Sequence, residues 1–599
     1  MSFGQKKRHA SEALEEMLGV DSPASKRSRV ETGTPSPLGL DEEEHEARNG
    51  DRREGGADSA GERDGTRWPM ERLRISEERH GPKGGGGDDD NNDNNDNDDD
   101  DDEVRGAAPI RQSAPTAGYD DLYLDTIDRN VLDFDFEKLC SVSLSNINVY
   151  ACLVCGRYYQ GRGPRSHAYF HALDDDHHVF INMQTQKVYV LPEGYEVLSS
   201  SLDDIKYVSD PRYTRAEVAA LDRRRAAPAW TLAGREYAPG FVGMNNIKEN
   251  DYVNVVVQAL AHVPPLRNFL LLEDLGGGGG GGGGGGNNNN SSQTAELVRR
   301  CSTLMRKIWN PRAFKAHVSP HELLQEVSLL SNKRFTLTAQ SDPVDFLSWF
   351  LNNLHLGLGG SRTRPGSSMV QRVFQGRVKV ESQAITAKAD AFDRLRFEDA
   401  AEVKVDVGPF LLLTLDLPPA PLFQGGGDDE ERSIIPQVPL TSILAKYDGV
   451  SAQEHLNHRR RYRLMHPLPP YLILHVKRFS RNKFVSERNP TIVTFDPRGL
   501  DVAPYVEPDP ALHPPGEPVL YDLVANVVHE AVKAKDDVAD SSEERKTWKV
   551  QLRDRARDEW VVCQDLFVDK IRDELLYLGE TYLQVWERRR DGKRKGRAA

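Results

Sequence analysis

Residues 240–269 read GFVGMNNIKENDYVNVVVQALAHVPPLRNF, a polar turn running into an apolar stretch. The apolar pattern predicts a helix over 251–263. Asp251 stands at its first turn, where the helix dipole favours a carboxylate by ~0.3–1 kcal/mol. From the residues alone, Asp251 is a helix-start or capping residue.

The chain around this stretch has 599 residues, 38% of them hydrophobic and 29% charged. That composition is too polar for one compact body. Residues 1–118 carry 17 Lys and Arg against 29 Asp and Glu, so −12 of the net −15 lies there. The body that follows is nearly neutral, which argues against a broadly basic nucleic-acid-binding domain. Local patches such as Arg223-Arg224-Arg225 and Arg459-Arg460-Arg461 read first as solvated faces and second as phosphate contacts. Five cysteines exclude a disulfide framework and fit a reducing compartment. No apolar run approaches the roughly 20 residues of a membrane span, and the first residues lack a secretory signal's apolar core.

The expected organisation is an acidic, disordered tail over 1–118, a small finger over 119–208, a charged helical connector over 209–236, a large mixed domain over 237–590 and a basic tail over 591–599. Eleven glycines, Gly276–Gly286, cannot form a regular element and predict a solvated loop between helices at 251–263 and 294–309. Smaller insertions fall near 357–368 and 424–431. Basic clusters at Lys6-Lys7-Arg8 and Lys26-Arg27-Ser28-Arg29 fit a nuclear import signal or a solvated tail equally well.

Cys140, Cys152 and Cys155 fall within sixteen residues, followed by His167, His171, His177 and His178. Cys152 and Cys155 form a CxxC; fifteen residues then lead to His171 and five more to His177. This is the spacing of a two-Cys, two-His structural zinc site, with Cys152, Cys155, His171 and His177 as ligands. His167, one turn from His171, is the rival ligand. Cys140 stays ambiguous, because a second CxxC would need a cysteine at Ser143.

CLVCGRYYQGRG (152–163), SHAYFH (166–171) and HHVFINMQTQKVYV (177–190) resemble the ubiquitin-hydrolase type zinc finger. Members of that family can hold the free C-terminal tail of ubiquitin with an arginine after the Cys-Gly step. Arg157 and Tyr158 match that step, although a surface role for Arg157 explains it equally well. The opening stretch resembles the cysteine box of ubiquitin-specific proteases. Gly243, Asn246, Tyr252, Asn254, Gln258 and Leu260 are in register, and Asp251 falls where that family carries its nucleophilic cysteine. QSDPVDFLSWFLNNLH (340–355), RVFQGRV (372–378), FLLLTLDLP (410–418), PPYLILHVKRF (469–479) and YDLVANVVHE (521–530) resemble the family's helix and core strands. The histidine box corresponds to Lys546-Thr547-Trp548 and to Trp560 through Asp565, so Thr547 takes the general-base position and Gln564 the orienting carboxylate's.

The resemblance implies an α+β architecture: a ubiquitin-hydrolase-type finger, then a papain-like protease fold with its helical half over 251–355 and its sheet-rich half over most of 370–586. It also implies that no catalytic residue remains. A carboxylate attacks amides poorly, and its charge opposes a developing oxyanion. Threonine accepts no proton near neutral pH, and glutamine cannot hold an imidazolium. Asn246 matches the oxyanion-stabilising asparagine but has no nucleophile to serve. Cys563, beside Gln564, is the nearest candidate for a relocated nucleophile. Cys301, His475 and His529 read as core or structural residues.

VLDFDFEKLC (131–140), WNPRAFKAHVSPHELLQ (309–325) and IIPQVPL (434–440) match the inactive, tri-snRNP-associated branch of that family. The branch implies a nuclear scaffold for pre-mRNA splicing. Its partners would be spliceosomal snRNP proteins, with ubiquitin at most a weak ligand and RNA contacted indirectly. A ubiquitin-binding adaptor and a deubiquitinase with a relocated nucleophile are the competing functions.

Overall fold

A computed structural model describes residues 122–223, 228–273, 289–389, 395–419, 436–455, 458–481, 486–514, 516–532 and 545–589. The acidic tail, the glycine insert, the insertion at 424–431, Arg224-Arg225 and the basic C-terminal tail lie outside the described residues.

The finger is a five-stranded antiparallel sheet: β1 (Val149–Cys152), β2 (Tyr158–Gln160), β3 (Val179–Asn182), β4 (Val188–Val190) and β5 (Tyr195–Val197), in the order β2-β1-β3-β4-β5. Every side chain of β1 and β3 is buried. That is what continuous runs such as VYAC and VFIN dictate, since both sheet faces are covered. Val149, Ala151, Val179 and Ile181 face one core, while Tyr150, Cys152 and Phe180 face the other, beside helix α1 (His167–Asp174). Ser166 caps α1, its hydroxyl accepting the Tyr169 N–H at 3.4 Å.

Two short helices, α2 (Asp203–Ser209) and α3 (Arg215–Ala220), lead out of the finger. Thr214 and Glu217 close a capping box on α3. Asp222, just beyond, accepts a two-pronged bond from buried Arg267 at 2.6 and 2.9 Å, fastening the connector to the next domain. The finger is tied there as well. Buried Lys307 donates to the Phe134 carbonyl at 2.6 Å and pairs with Asp135 at 2.9 Å.

The helical half holds α4 (Asp251–Ala261), α5 (Pro264–Leu272), α6 (Asn289–Ile308), α7 (His321–Leu330), α8 (Pro343–Gly357) and α9 (Met369–Phe374). The first predicted helix stops at Ala261, because Pro264 and Pro265 start a new helix bent 90° from it. The second begins at Asn289, five residues earlier than the sequence suggests. Within RVFQGRV, Arg372–Phe374 ends α9 and the strand starts only at Gly376. The strand expected there is half helix. A Cβ on Gly376 would sit 2.4 Å from the Phe410 ring, so the close pairing at this switch requires glycine.

The sheet-rich half contains β6 (Gly376–Ala389), β7 (Leu395–Phe410), β8 (Leu413–Asp416), β9 (Gln453–His455), β10 (His458–Met465), β11 (Tyr471–Lys477), β12 (Arg498–Asp501), β13 (Leu520–Val532), β14 (Arg545–Asp554), β15 (Glu559–Gln564), β16 (Phe567–Ile571) and β17 (Glu580–Arg588). A four-stranded sheet runs β7-β6-β10-β9. The main sheet runs β8-β11-β17-β13-β14-β15-β16, with β12 paired to β13. Alternation divides its faces. Tyr471 and Ile473 pack toward the helices with Val550 and Leu583, while Leu472, Leu474 and Val476 pack away with Trp560 and Trp586. Cys301 lies buried in α6 within the helical core. Among the described residues no single helix is long and apolar enough to cross a membrane.

Candidate functional site

Two places merit a close look: the groove between the halves, and the metal-type cluster in the finger. In the groove, Asp251 opens α4 and is only 5% exposed. Its carboxylate is fully engaged. Gln340 Nε2, from the loop before α8, donates to its two oxygens at 3.0 and 3.1 Å. The Tyr252 N–H donates at 2.9 Å, and the Trp548 N–H, from β14, at 3.2 Å. One side chain therefore clasps the first turn of α4, the α8 loop and the central sheet. Burial drives the Asp251 carboxyl above its usual range, partly offset by the Gln340 bond.

Asn246 does not face an empty pocket. Its Oδ1 accepts the Asn250 N–H at 3.1 Å, and its Nδ2 donates to Asp565 Oδ2 at 3.1 Å. Asn254 also donates to Asp565, at 3.4 Å. Asp565 is the residue that sequence reasoning passed over, giving a role only to its neighbour Gln564. Its φ of 50° turns the chain between β15 and β16, and its carbonyl accepts the Met244 N–H at 2.8 Å. The legible signal was the final aspartate of WVVCQD, a short polar residue that tolerates left-handed backbone.

Thr547 lies near the start of β14 and gives its hydroxyl to the Glu530 carbonyl at 3.0 Å, a bond across the sheet. Gln564 closes β15, half-buried. Cys563 beside it is buried, and burial alone pushes its thiol to about 12; Cys301 is likewise raised to about 12. Neither supplies a thiolate near neutral pH. His529 is buried and pairs through Nδ1 with Glu580 at 3.1 Å. Burial lowers His475 to about 4, next to the Tyr582 ring.

In the finger, one donor atom each from Cys152, Cys155, His171 and His177 lies within 4.8 Å of the others. Cys155 Sγ is 3.3 Å from His171 Nε2, which is 3.0 Å from His177 Nδ1. Metal bonds of about 2.0–2.3 Å at tetrahedral angles place donors roughly 3.3–3.8 Å apart, so the four converge on a zinc-sized centre. His171 turns its other nitrogen to Asp175 at 2.6 Å, an outer carboxylate that fixes the ring. Cys155 is drawn below the ordinary thiol range, first by its bond with Cys152, whose own thiol is pushed up by the same bond. His167, at the first position of α1, and Cys140, bonded by the Ser143 N–H at 3.4 Å, stand outside this group. Gly156 follows the CxxC with φ +73°, and a Cβ there would lie 2.6 Å from the Val131 carbonyl. Arg157 is exposed, whereas the Tyr158 hydroxyl is held by the Asp133 carbonyl at 2.9 Å.

A family profile described as "Ubiquitin carboxyl-terminal hydrolase" matches residues 242–587, and one described as "Zn-finger in ubiquitin-hydrolases and other protein" matches residues 140–202. The chain belongs to the ubiquitin carboxyl-terminal hydrolase family, and its finger is a zinc finger of the type found in those hydrolases. Its relatives are more particular. A protein named as a probable mRNA-splicing protein of Schizosaccharomyces pombe is 49% identical over 470 residues, covering 78% of this chain and 88% of that one. Ubiquitin carboxyl-terminal hydrolase 39 of Homo sapiens is 45% identical over 475 residues, covering 78% of this chain and 80% of its own. A crystal structure of an essential yeast splicing factor aligns with a TM-score of 0.59 at 30% identity, over 78% of this chain and 100% of that one.

Proposed function

We propose that this chain is a non-catalytic scaffold of pre-mRNA splicing, working in the nucleus to assemble or hold the tri-snRNP through protein contacts. The names of its relatives support the splicing role. The observation that carries the loss of catalysis is the engagement of Asp251. The position that bears a nucleophile in active relatives holds a buried carboxylate that accepts bonds from Gln340, Tyr252 and Trp548. Together with Thr547 and Gln564, this leaves neither nucleophile nor base, and each such loss lowers rates by orders of magnitude. The buried thiol of Cys563 argues against a relocated nucleophile.

The finger in this reading is held by zinc on Cys152, Cys155, His171 and His177, a closed shell with a structural role. The expected result with a ubiquitin-amide reporter is no turnover. Turnover abolished by alkylating one cysteine would overturn the reading. Affinity purification from nuclear extract should recover snRNP proteins. A ubiquitin-binding adaptor is the second reading, favoured by the exposure of Arg157 at the finger's Cys-Gly step. Titration with ubiquitin followed by NMR decides it: absence of any shift at millimolar ubiquitin removes it.

A further inference from the structure

In the sheet β7-β6-β10-β9, β7 is an outer strand, and no described strand pairs with its other side. Such an edge carries a row of unmatched main-chain groups. Residues 402–407 of β7 read Glu-Val-Lys-Val-Asp-Val, and all are exposed. Val403, Val405 and Val407 are 41%, 52% and 44% exposed and share one face, while Glu402, Lys404 and Asp406 take the other. The valines form an apolar stripe that gains by being covered.

The ladder fixes which way the main chain points. In β10 the carbonyls of Tyr462 and Leu464 accept the N–H groups of Gly449 and Glu507, at 3.0 and 2.7 Å, on the side away from β6. Their partners in β6, Val380 and Val378, therefore turn their own groups toward Asp406 and Gly408 of β7. Alternation leaves Val403, Val405 and Val407 with N–H and C=O aimed at the open edge. Pro409 agrees, because a residue without an N–H suits only an outward-facing position in this ladder.

We propose that this edge pairs with the same edge of a second copy of the chain, antiparallel about a two-fold axis at Val405. Val405 then meets its own counterpart and Val403 meets Val407, in hydrogen-bonded pairs made by the outward groups. On the other face Lys404 stands opposite Asp406 at both ends of the axis, in the closer, non-hydrogen-bonded pairs. Glu402 meets Gly408, which brings no charge. Moving the axis to Lys404 sets lysine against lysine and Glu402 against Asp406; moving it to Asp406 sets aspartate against aspartate. Charge thus selects the register, while main-chain bonds and covered valines supply the attraction. Within one chain Lys404 and Asp406 lie 3.5 Å apart, but they are 66% and 65% exposed, so that pair is weak and leaves both able to face the second copy. A lysine ordinarily guards an edge against pairing; mirrored about Val405 by an aspartate, it matches a second copy instead. A strand of another protein could use the same amides, but nothing in it would call for that mirrored pattern. The inference goes beyond the scaffold reading and does not depend on it.

The test is sedimentation velocity of the full chain from low to high micromolar concentration. The wild type should move from monomer toward dimer as concentration rises. Lys404→Asp alone sets aspartate against aspartate, and Asp406→Lys alone sets lysine against lysine, so each should weaken association roughly tenfold or more. Mixed in equal amounts, the two variants match acid with base at both places and should restore the dimer. Both positions are exposed, so thermal unfolding of each variant should equal that of the wild type. A wild type that stays monomeric at the highest concentration overturns the proposal and leaves the edge to a strand of another protein. So does association indifferent to both substitutions, or a mixture no more dimeric than its parts. Co-purification of snRNP proteins judges the scaffold reading separately, so the two fail independently.

Discussion

The finger cluster and the protease-like groove both lie in segments that match the hydrolase family, yet they present opposite chemistry. In the finger the donors Cys152, Cys155, His171 and His177 still converge. In the groove Asp251, Thr547 and Gln564 are each taken up by the local architecture. The contrast has a physical origin. A metal centre in a small body contributes folding free energy, so losing one donor endangers the whole finger. A catalytic centre contributes rate, so its groups can be exchanged for any that fit. Asp251 does more than fit, since its four bonds join three segments.

Removing a finger donor should give the largest effect. Cys152→Ser is expected to reduce bound zinc from about one ion per chain to none and to unfold the finger, because zinc-finger binding free energies run to roughly 10 kcal/mol or more. Metal analysis with near-ultraviolet circular dichroism reads both, and full zinc in the variant would break the comparison. In the protease-like half no single deletion should reach that size. Arg478 is the severest candidate. It is 2% exposed and donates to the carbonyls of Thr581, Asn489 and Thr491 at 2.6–3.0 Å. Arg478→Met should lower unfolding free energy by about 3 kcal/mol in denaturant titration, since it strands three acceptors.

Asp251 sharpens the comparison further. Asp251→Ala leaves the Gln340 and Trp548 donors unmatched and should lose about 1–3 kcal/mol. Asp251→Asn should lose less, and its deficit should depend on pH. Burial raises the folded-state pKa above the ordinary 3.8, so the native state holds the proton more tightly than the unfolded chain. The Asp251 contribution is then complete below pH 3.8 and declines as pH climbs through the raised value. Urea midpoints of wild type and Asp251→Asn should converge across that climb, and a gap that widens would contradict the burial argument. The smallest effect belongs to Ser166→Ala. It removes the cap of the helix bearing His171 and should lower stability by about 1 kcal/mol without releasing zinc.

Much of this frame was legible in the chain. The CxxC and histidine spacing named the four converging donors, because a ligand set is written in residue types and intervals. The helix within 340–355 and the strands within 469–479 and 521–530 were legible from their resemblance to the family's motifs, although the helix starts only at Pro343. Asp565 was harder, because its importance lies in a left-handed backbone and in partners 319 and 311 residues away, Asn246 and Asn254. RVFQGRV misled for a related reason. Its apolar residues suit either a helix or a strand, and only the Phe410 ring against Gly376 fixes where one yields to the other. The open edge of β7 was invisible, since which strands find partners is settled only after folding.

The clasp at Asp251 limits what else that position can hold. A cysteine placed at that position would bring one weak acceptor where two carboxylate oxygens now serve three donors, so the exchange is a step downhill in robustness. The carboxylate is held as by a ratchet: each donor fitted to it makes exchange of Asp251 more costly.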